Sequence, residues 1–322
     1  MTELALQVTD LRKTFGGGRT LMGRAKPSVH AVRDVSLKVP RGETLGIVGE
    51  SGCGKSTLAR MLVGLLEPTE GDIVIEGRSL ADQAGDPAAF GRLIQYVFQD
   101  PISSLNPRKT IREILEAPLI HLLGLDEAAR KARISELFDA VNLRREFLTR
   151  YPHEFSGGQA QRIGIARALA ASPRILVLDE PVSALDVSVQ AQVLNLLAEL
   201  RSAMNLTYLF ISHDLAVVEA VSDSVAVLYF GRVVEVGRAE SIFREPKHPY
   251  TCLLAESAPV VGRGLNRKEA ATAELPDPLH PPPGCAFAAR CAYATRECRE
   301  HSPGMRCFSD DHEAACFHPL VS

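Results

Sequence analysis

The sequence predicts an α/β protein built on a largely parallel sheet. Short, predominantly apolar runs at Thr44–Val48, Arg174–Leu178 and Thr207–Ile211 have the length and composition of strands buried on both faces. Stretches of helical periodicity alternate with them, the pattern of strand–helix–strand units. A glycine-rich segment, Gly49–Thr57, joins one such strand to one such helix.

Taken in order, Leu4–Val8 and Val35–Val39 read as strands, and the polar, glycine-rich Gly16–Ser28 between them reads as a loop. Arg41-Gly42 marks a turn into the strand Thr44–Val48. After the glycine-rich segment, Thr57–Leu66 spaces Leu58, Met61, Leu62 and Leu65 at helical intervals. Gly71–Glu76 is a further short strand, and Arg92–Gln99 leads to Asp100-Pro101, where the pattern changes. From Ile111 to Arg150 the periodicity is helical, with charges spread along it as in Asp126–Ala140. This stretch predicts a helical subdomain inserted in the α/β core. Ser156–Ala171 is a second clear helix: Ser156 suits its N-cap, Gln159 completes a capping box, and Pro173 stops it. Arg174–Leu178 returns as a buried strand, Val187–Ala203 is helical, Thr207–Ile211 is a strand and Leu215–Val221 a short helix. Val225–Val236, with Gly231-Arg232 at its middle, reads as a closing hairpin. The composition shifts after Gly237. Pro276–Pro283 holds five prolines in eight residues, a linker or an extended strap.

A chain of 322 residues suits one large domain with an appendage, or two modest ones. With 46% apolar and 23% charged residues it can bury a full core. The net charge of −3 lacks the basic excess of a dedicated nucleic-acid binder. No stretch approaches the ~18–20 uncharged apolar residues of a membrane span. Met1–Asp10 contains Glu3 and Asp10 and lacks the basic start of a signal peptide, so a cytosolic protein with reduced thiols is expected. Six of the seven cysteines follow position 250, and five fall within Cys285–Cys316. In that compartment such clustering points to metal before disulfides.

Gly49–Thr57 (Gly49, Glu50, Ser51, Gly52, Cys53, Gly54, Lys55, Ser56, Thr57) fits G-x-x-x-x-G-K-[ST] at every fixed position. Its glycines let backbone N–H groups turn inward around phosphate oxygens, aided by the helix N-terminus that follows. Lys55 can reach the β- and γ-phosphates, and the Ser56 hydroxyl can bind Mg²⁺. The alternative, a chance glycine-rich turn, does not account for the flanking strand and helix. Ile175–Glu180 ends an apolar strand in two carboxylates. Asp179 would sit near Mg²⁺ through a bound water, and Glu180 could polarise the water that attacks the γ-phosphate. Alone, such a pair is more often two solvated strand-capping carboxylates; the upstream phosphate loop reverses that reading. In Ser156-Gly157-Gly158-Gln159, capping explains Ser156 and Gln159. The two glycines are what close backbone approach to a phosphate would require.

Ser156–Gln159 followed by Gln161-Arg162-Ile163 resembles the signature motif of ABC-type ATPases, with Phe155 where leucine is commoner. The resemblance implies a P-loop ATPase over residues 1–240. Its parts would be a RecA-like parallel-sheet core, an antiparallel β subdomain and an inserted α-helical subdomain at about residues 100–170. It further implies that Gln99 reaches the metal and the lytic water and senses the membrane subunits. Asp186 would lie in the loop that communicates across a dimer, and His213 would contact the γ-phosphate. Phe15 would stack on adenine. Phe98–Pro107, Arg150–Phe155, Pro181–Val187, His248-Pro249-Tyr250 and the cysteine-rich tail over 241–322 are similar to the ATPases of dipeptide/oligopeptide importers.

The resemblance implies an ATP-hydrolysing subunit that powers peptide import at the cytoplasmic face of the bacterial inner membrane. Its partners would be a homologous ATPase meeting it head to tail as a heterodimer, two permease subunits and an extracytoplasmic substrate-binding protein. Glutathione or nickel chelates remain alternative cargoes. A soluble ABC ATPase of DNA repair or translation is a competing reading, but such proteins carry coiled-coil insertions or tandem cassettes that this chain lacks. In the tail, Cys285, Cys291, Cys298 and Cys316 are separated by five, six and seventeen residues, with no C-x₂₋₄-C pair of the kind structural zinc prefers. Four thiolates can hold a [4Fe–4S] cluster without close pairing, and the resemblance implies one here. A zinc knot and unligated thiols are the alternatives. Cys307 is a fifth cysteine that could replace a ligand, and Ala286 and Ala292 stand where the family usually has proline.

Overall fold

Successive residues of the central strands face opposite ways into two hydrophobic layers, which is why those strands are apolar throughout. The structure is a computed structural model that describes residues 3–17, 27–83, 86–257 and 275–320. Most of the loop expected over Gly16–Ser28, at 18–26, lies outside the described residues. Strands β1 (Leu4–Gly16), β2 (Ser28–Pro40), β4 (Glu70–Ile75) and β5 (Arg78–Ser79) form an antiparallel sheet in the order β2-β1-β4-β5. The second sheet contains β3 (Thr44–Val48), β6 (Ile94–Val97), β7 (Ile175–Asp179), β8 (Thr207–Ser212), β9 (Ser224–Tyr229), β10 (Arg232–Arg238), β11 (Arg306–Ser309) and β12 (His312–Ala314). Its order is β11-β12-β10-β9-β3-β8-β7-β6. From β9 to β6 the pairing is parallel, whereas β9, β10, β12 and β11 pair antiparallel.

Leu176, Leu178, Tyr208 and Phe210 face one layer, shared with the helices Ile111–His121, Glu127–Ala140 and Gly157–Ala170. Ile175, Val177, Leu209 and Ile211 face the other, shared with the antiparallel sheet and the helix Lys55–Leu62. Burial on both faces removes the alternation that marks a half-exposed strand. The helices begin where short polar side chains satisfy their free N–H groups. Thr110 and Glu113 form a capping box, Asp126 accepts from the Ala129 N–H at 2.8 Å, and the Ser156 N–H donates to Gln159 Oε1 at 3.1 Å.

The first two strands run well beyond Leu4–Val8 and Val35–Val39. Irregular pairing between Val8 and Leu11, with Asp10 and Asp34 at φ 47° and 53°, lets each strand continue past a break in its apolar alternation. Among the described residues no helix is long and apolar enough to cross a membrane.

The C-terminal segment joins the core sheet. β12 pairs with β10 through Glu235 and Ala314, extending the sheet past the expected closing hairpin. The Glu235 side chain is fully buried; it accepts from the Lys247 and His248 N–H groups at 2.6 and 2.9 Å and meets His312 Nε2 at 2.7 Å. Tyr229, Tyr250 and Phe287 pack ring against ring beside it, with centroids 4.5–5.4 Å apart. Removing the carboxylate would strand two backbone donors and an imidazole in a site closed to water. Glu235→Ala is expected to cost about 3 kcal/mol or more, read as a lowered denaturation midpoint together with faster proteolysis after Arg238. An unchanged midpoint and an intact C-terminal segment would show that Glu235 is not the anchor.

Candidate functional site

The glycine-rich segment Gly49–Thr57 spans the sharp turn from β3 into the helix Lys55–Leu62. A Cβ at Gly49 would stand 2.2 Å from the Leu228 carbonyl oxygen, and one at Gly54, at φ 104°, 2.3 Å from that of Ala31. Only glycine fits at either point. Lys55 is buried, and its ammonium donates to the Gly49 and Glu50 carbonyls at 2.7 and 3.0 Å. It therefore lies in the hollow of the loop. The Cys53 side chain packs in the core, where burial pushes its thiol up, and its Sγ accepts from Lys55 Nζ at 3.9 Å.

Parallel pairing brings the ends of β3, β6, β7 and β8 to one side of the sheet, and the expected polar residues gather there. The Ser56 hydroxyl donates to Asp179 Oδ1 at 3.3 Å, tying the first helix to the end of β7. The buried Tyr96 hydroxyl donates to Asp179 Oδ2. Burial first, and the neighbouring Asp179 second, hold Tyr96 well above the usual phenol value, so it stays protonated and acts as donor. Glu180 adopts φ 48°, a left-handed backbone uncommon outside glycine, which turns its side chain out of the strand. Gln99 Nε2 donates to Glu180 Oε2 at 2.8 Å, and His213 Nδ1 lies 3.2 Å from Glu180 Oε1. Two residues, one following β6 and one following β8, thus converge on the carboxylate that follows β7.

The signature residues lie elsewhere. Ser156 and Gly157 are exposed at the start of Gly157–Ala170. A Cβ on Gly158 would meet Val189 Cγ1 at 2.5 Å, and one on Gly157 would meet Leu185 Cδ2 at 3.2 Å. Close packing on Leu185 of the Asp186 loop and on Val189 of the helix Val187–Met204 therefore gives these glycines a reason that the sequence did not reveal. Gln190 Nε2 holds that loop through the Val182 and Leu185 carbonyls, each at 3.0 Å, leaving Asp186 and Val187 exposed. Among the described residues no hydrogen bond joins Ser156–Gln159 to Gly49–Thr57. Phe15 is partly exposed at the end of β1, with Lys13 Nζ 5.4 Å from its ring centre.

Cys285, Cys291, Cys298 and Cys316 line one cavity together with Phe287 and Phe317. Burial pushes the Cys285 and Cys291 thiols up and the Cys316 thiol up to about 11, with the neighbouring cysteines adding to the effect. Cys307 is exposed on β11, 3.6 Å from Glu313 Oε1, and does not line the cavity. Among the described residues no group of three or more His, Cys, Asp or Glu side chains is arranged to hold a metal ion.

Residues 32–183 match the ABC transporter family, and residues 234–298 match the oligopeptide/dipeptide transporter C-terminal region. The dipeptide transport ATP-binding protein DppF of Haemophilus influenzae is 50% identical over 297 residues, 91% of each chain. The putative oligopeptide transport ATP-binding protein YkfD of Bacillus subtilis is 47% identical over 97% of this chain and 94% of its own. The chain belongs to the ATP-binding subunits of ABC transporters. Its C-terminal match puts this ABC ATPase in the oligopeptide/dipeptide branch. A solved dimeric ATP-binding cassette in a post-hydrolysis state, bound to ADP and Pi, superposes with a TM-score of 0.64 at 30% identity, over 73% of this chain and 98% of that one.

Sequence reasoning missed two groups in this ABC ATPase. Nothing in Gln95-Tyr96-Val97 marks Tyr96 as the partner of a carboxylate 83 positions away. The second group touches the phosphate loop itself: Glu50 is gripped by Arg290, and its N–H donates to the Tyr250 hydroxyl at 2.9 Å. His248-Pro249-Tyr250 carried a branch resemblance, but no local pattern pointed it at the loop. Tyr96→Phe leaves a buried carboxylate oxygen without its donor. It is expected to lower stability by about 1–3 kcal/mol in denaturant titration, and an unchanged midpoint would mean that Asp179 does not depend on the phenol.

Proposed function

We propose that this ATPase powers import of peptides, acting at the cytoplasmic face of the inner membrane on two permease subunits served by an extracytoplasmic binding protein. The observation that carries the chemistry is the meeting of Gln99, Glu180 and His213 beside the Ser56–Asp179 pair. The peptide cargo is supported by the relatives, which are named for dipeptide and oligopeptide transport.

With ATP bound, the Lys55 ammonium would leave the Gly49 and Glu50 carbonyls for the β- and γ-phosphates, and the loop N–H groups would take the remaining oxygens. Ser56, Asp179 and Gln99 would hold Mg²⁺, which offsets charge developing on the transferred phosphoryl group. Phe15 would stack on the adenine. Glu180, oriented by Gln99 and His213, would take a proton from the attacking water, and His213 would also reach the γ-phosphate. Ser156, Gly157, Gly158 and Gln159 present an exposed helix start with nothing of their own phosphate loop against it. This supports a head-to-tail pairing with a homologous ATPase subunit, in which each signature turn and Asp186 loop completes the other chain's site.

In the tail, Cys285, Cys291, Cys298 and Cys316 would hold a [4Fe–4S] cluster that braces the fold. The one observation in its favour is their convergence on a single cavity.

Glu180→Gln keeps the side chain's shape but not its basicity. In the assembled transporter, turnover should fall by about 100-fold or more while ATP binding persists; near-normal turnover would remove Glu180 from the mechanism. Chain purified without oxygen should be brown and contain about four irons. Alanine at Cys285, Cys291, Cys298 or Cys316 should bleach it, whereas alanine at Cys307 or Cys252 should not. Stoichiometric zinc without iron would overturn the cluster.

A further inference from the structure

We propose that Arg290 is a positioning residue for nucleotide binding: through its ion pair with Glu50 it makes the geometry of the phosphate loop depend on the cysteine-lined tail. The inference rests on Gly49–Thr57 being the ATP phosphate site and names the element that holds that site in shape.

Glu50 is held at three points. Arg290 Nη1 and Nη2 each donate to one of its carboxylate oxygens at 2.8 Å, a two-pronged pair. Its N–H donates to the Tyr250 hydroxyl at 2.9 Å, and its carbonyl accepts from Lys55 at 3.0 Å. Two of these anchors come from the C-terminal segment. The Arg290 side chain is only 11% exposed, and its guanidinium lies 5.9 and 5.5 Å from the ring centres of Tyr229 and Phe287. A planar fork so enclosed has one place to be, and it imposes that plane on the carboxylate.

Arg290 in turn sits in a tight turn. The Ala288 N–H donates to the Cys285 carbonyl at 3.0 Å, the Arg290 N–H to that of Phe287 at 2.9 Å, and the Cys285 N–H to that of Cys298 at 2.8 Å. Cys285 and Cys291 bound this turn, and both line the cysteine cavity. Loosening either cysteine moves the guanidinium, and the guanidinium carries Glu50 with it.

Two effects on nucleotide follow. Freed from Arg290, the first turn of the loop would have to be ordered at the expense of binding free energy. An unpaired carboxylate would also stand next to the cradle and repel phosphate. Arg290 both holds the loop and screens that charge.

The test is MgADP binding to the full-length chain by calorimetry, which needs neither hydrolysis nor the transporter. Arg290→Gln should weaken binding by about tenfold, the scale of a lost charge-assisted pair, and Arg290→Lys by less, because it keeps the charge but not the fork. In a Glu50→Gln background the Arg290→Gln effect should shrink to within about twofold. Cys291→Ser should weaken binding in the native background and lose that effect in Glu50→Gln. In the assembled transporter, Arg290→Gln should raise KM for ATP and leave kcat within about twofold. Native affinity in Arg290→Gln, or equal losses in both backgrounds, would overturn the proposal. Should Arg290→Gln not fold, Arg290→Lys decides by the same comparison of backgrounds. Lys55→Ala separates the two readings. If it binds MgADP as the native chain does, the phosphate site itself is misplaced; if it loses binding while Arg290→Gln does not, only the role of Arg290 fails.

Discussion

Parallel pairing of strands that are covered on both faces is the constraint from which the rest of this structure follows. β6, β7, β8 and β3 point the same way, so the chain leaves each of them on the same side of the sheet. Gly49, Gln99, Glu180 and His213 are each the first or second residue past such a strand end, and in an open α/β sheet that edge is where ligands bind. The site is the common exit of four buried strands, and the two hydrophobic layers that bury them hold it rigid.

Rigidity is reinforced by polar groups that bind one another at the strand ends. Asp179 receives Ser56 from one side and Tyr96 from the other, which engages both carboxylate oxygens. Glu180 is turned outward by its left-handed backbone and steadied by Gln99 and His213. Lys55 ties the loop to itself through the Gly49 and Glu50 carbonyls.

The C-terminal segment belongs to the same mechanical unit. Glu235 buries a carboxylate that gathers His312 and the N–H groups of Lys247 and His248, and β12 adds to the sheet beside it. The aromatic cluster of Tyr229, Tyr250 and Phe287 then carries Arg290 to Glu50. The chain places its cysteine cavity one short turn from its phosphate loop, although 240 residues separate Glu50 from Arg290.

Local chemistry alone determined much of this protein. The glycine loop, the apolar strands, the capping box at Ser156 and the paired carboxylates each depend on neighbours within a few residues, so their spacing is legible in the sequence. The full length of β1 was not, because left-handed Asp10 and the irregular pairing beyond Val8 break the alternation by which a strand is read. Tertiary structure decided which polar groups meet. Tyr96 with Asp179, Arg290 with Glu50 and Gly158 against Val189 join positions that only folding brings together. A buried charge or an absent Cβ is answered by whatever packs against it in space, and that partner leaves no periodic mark along the chain.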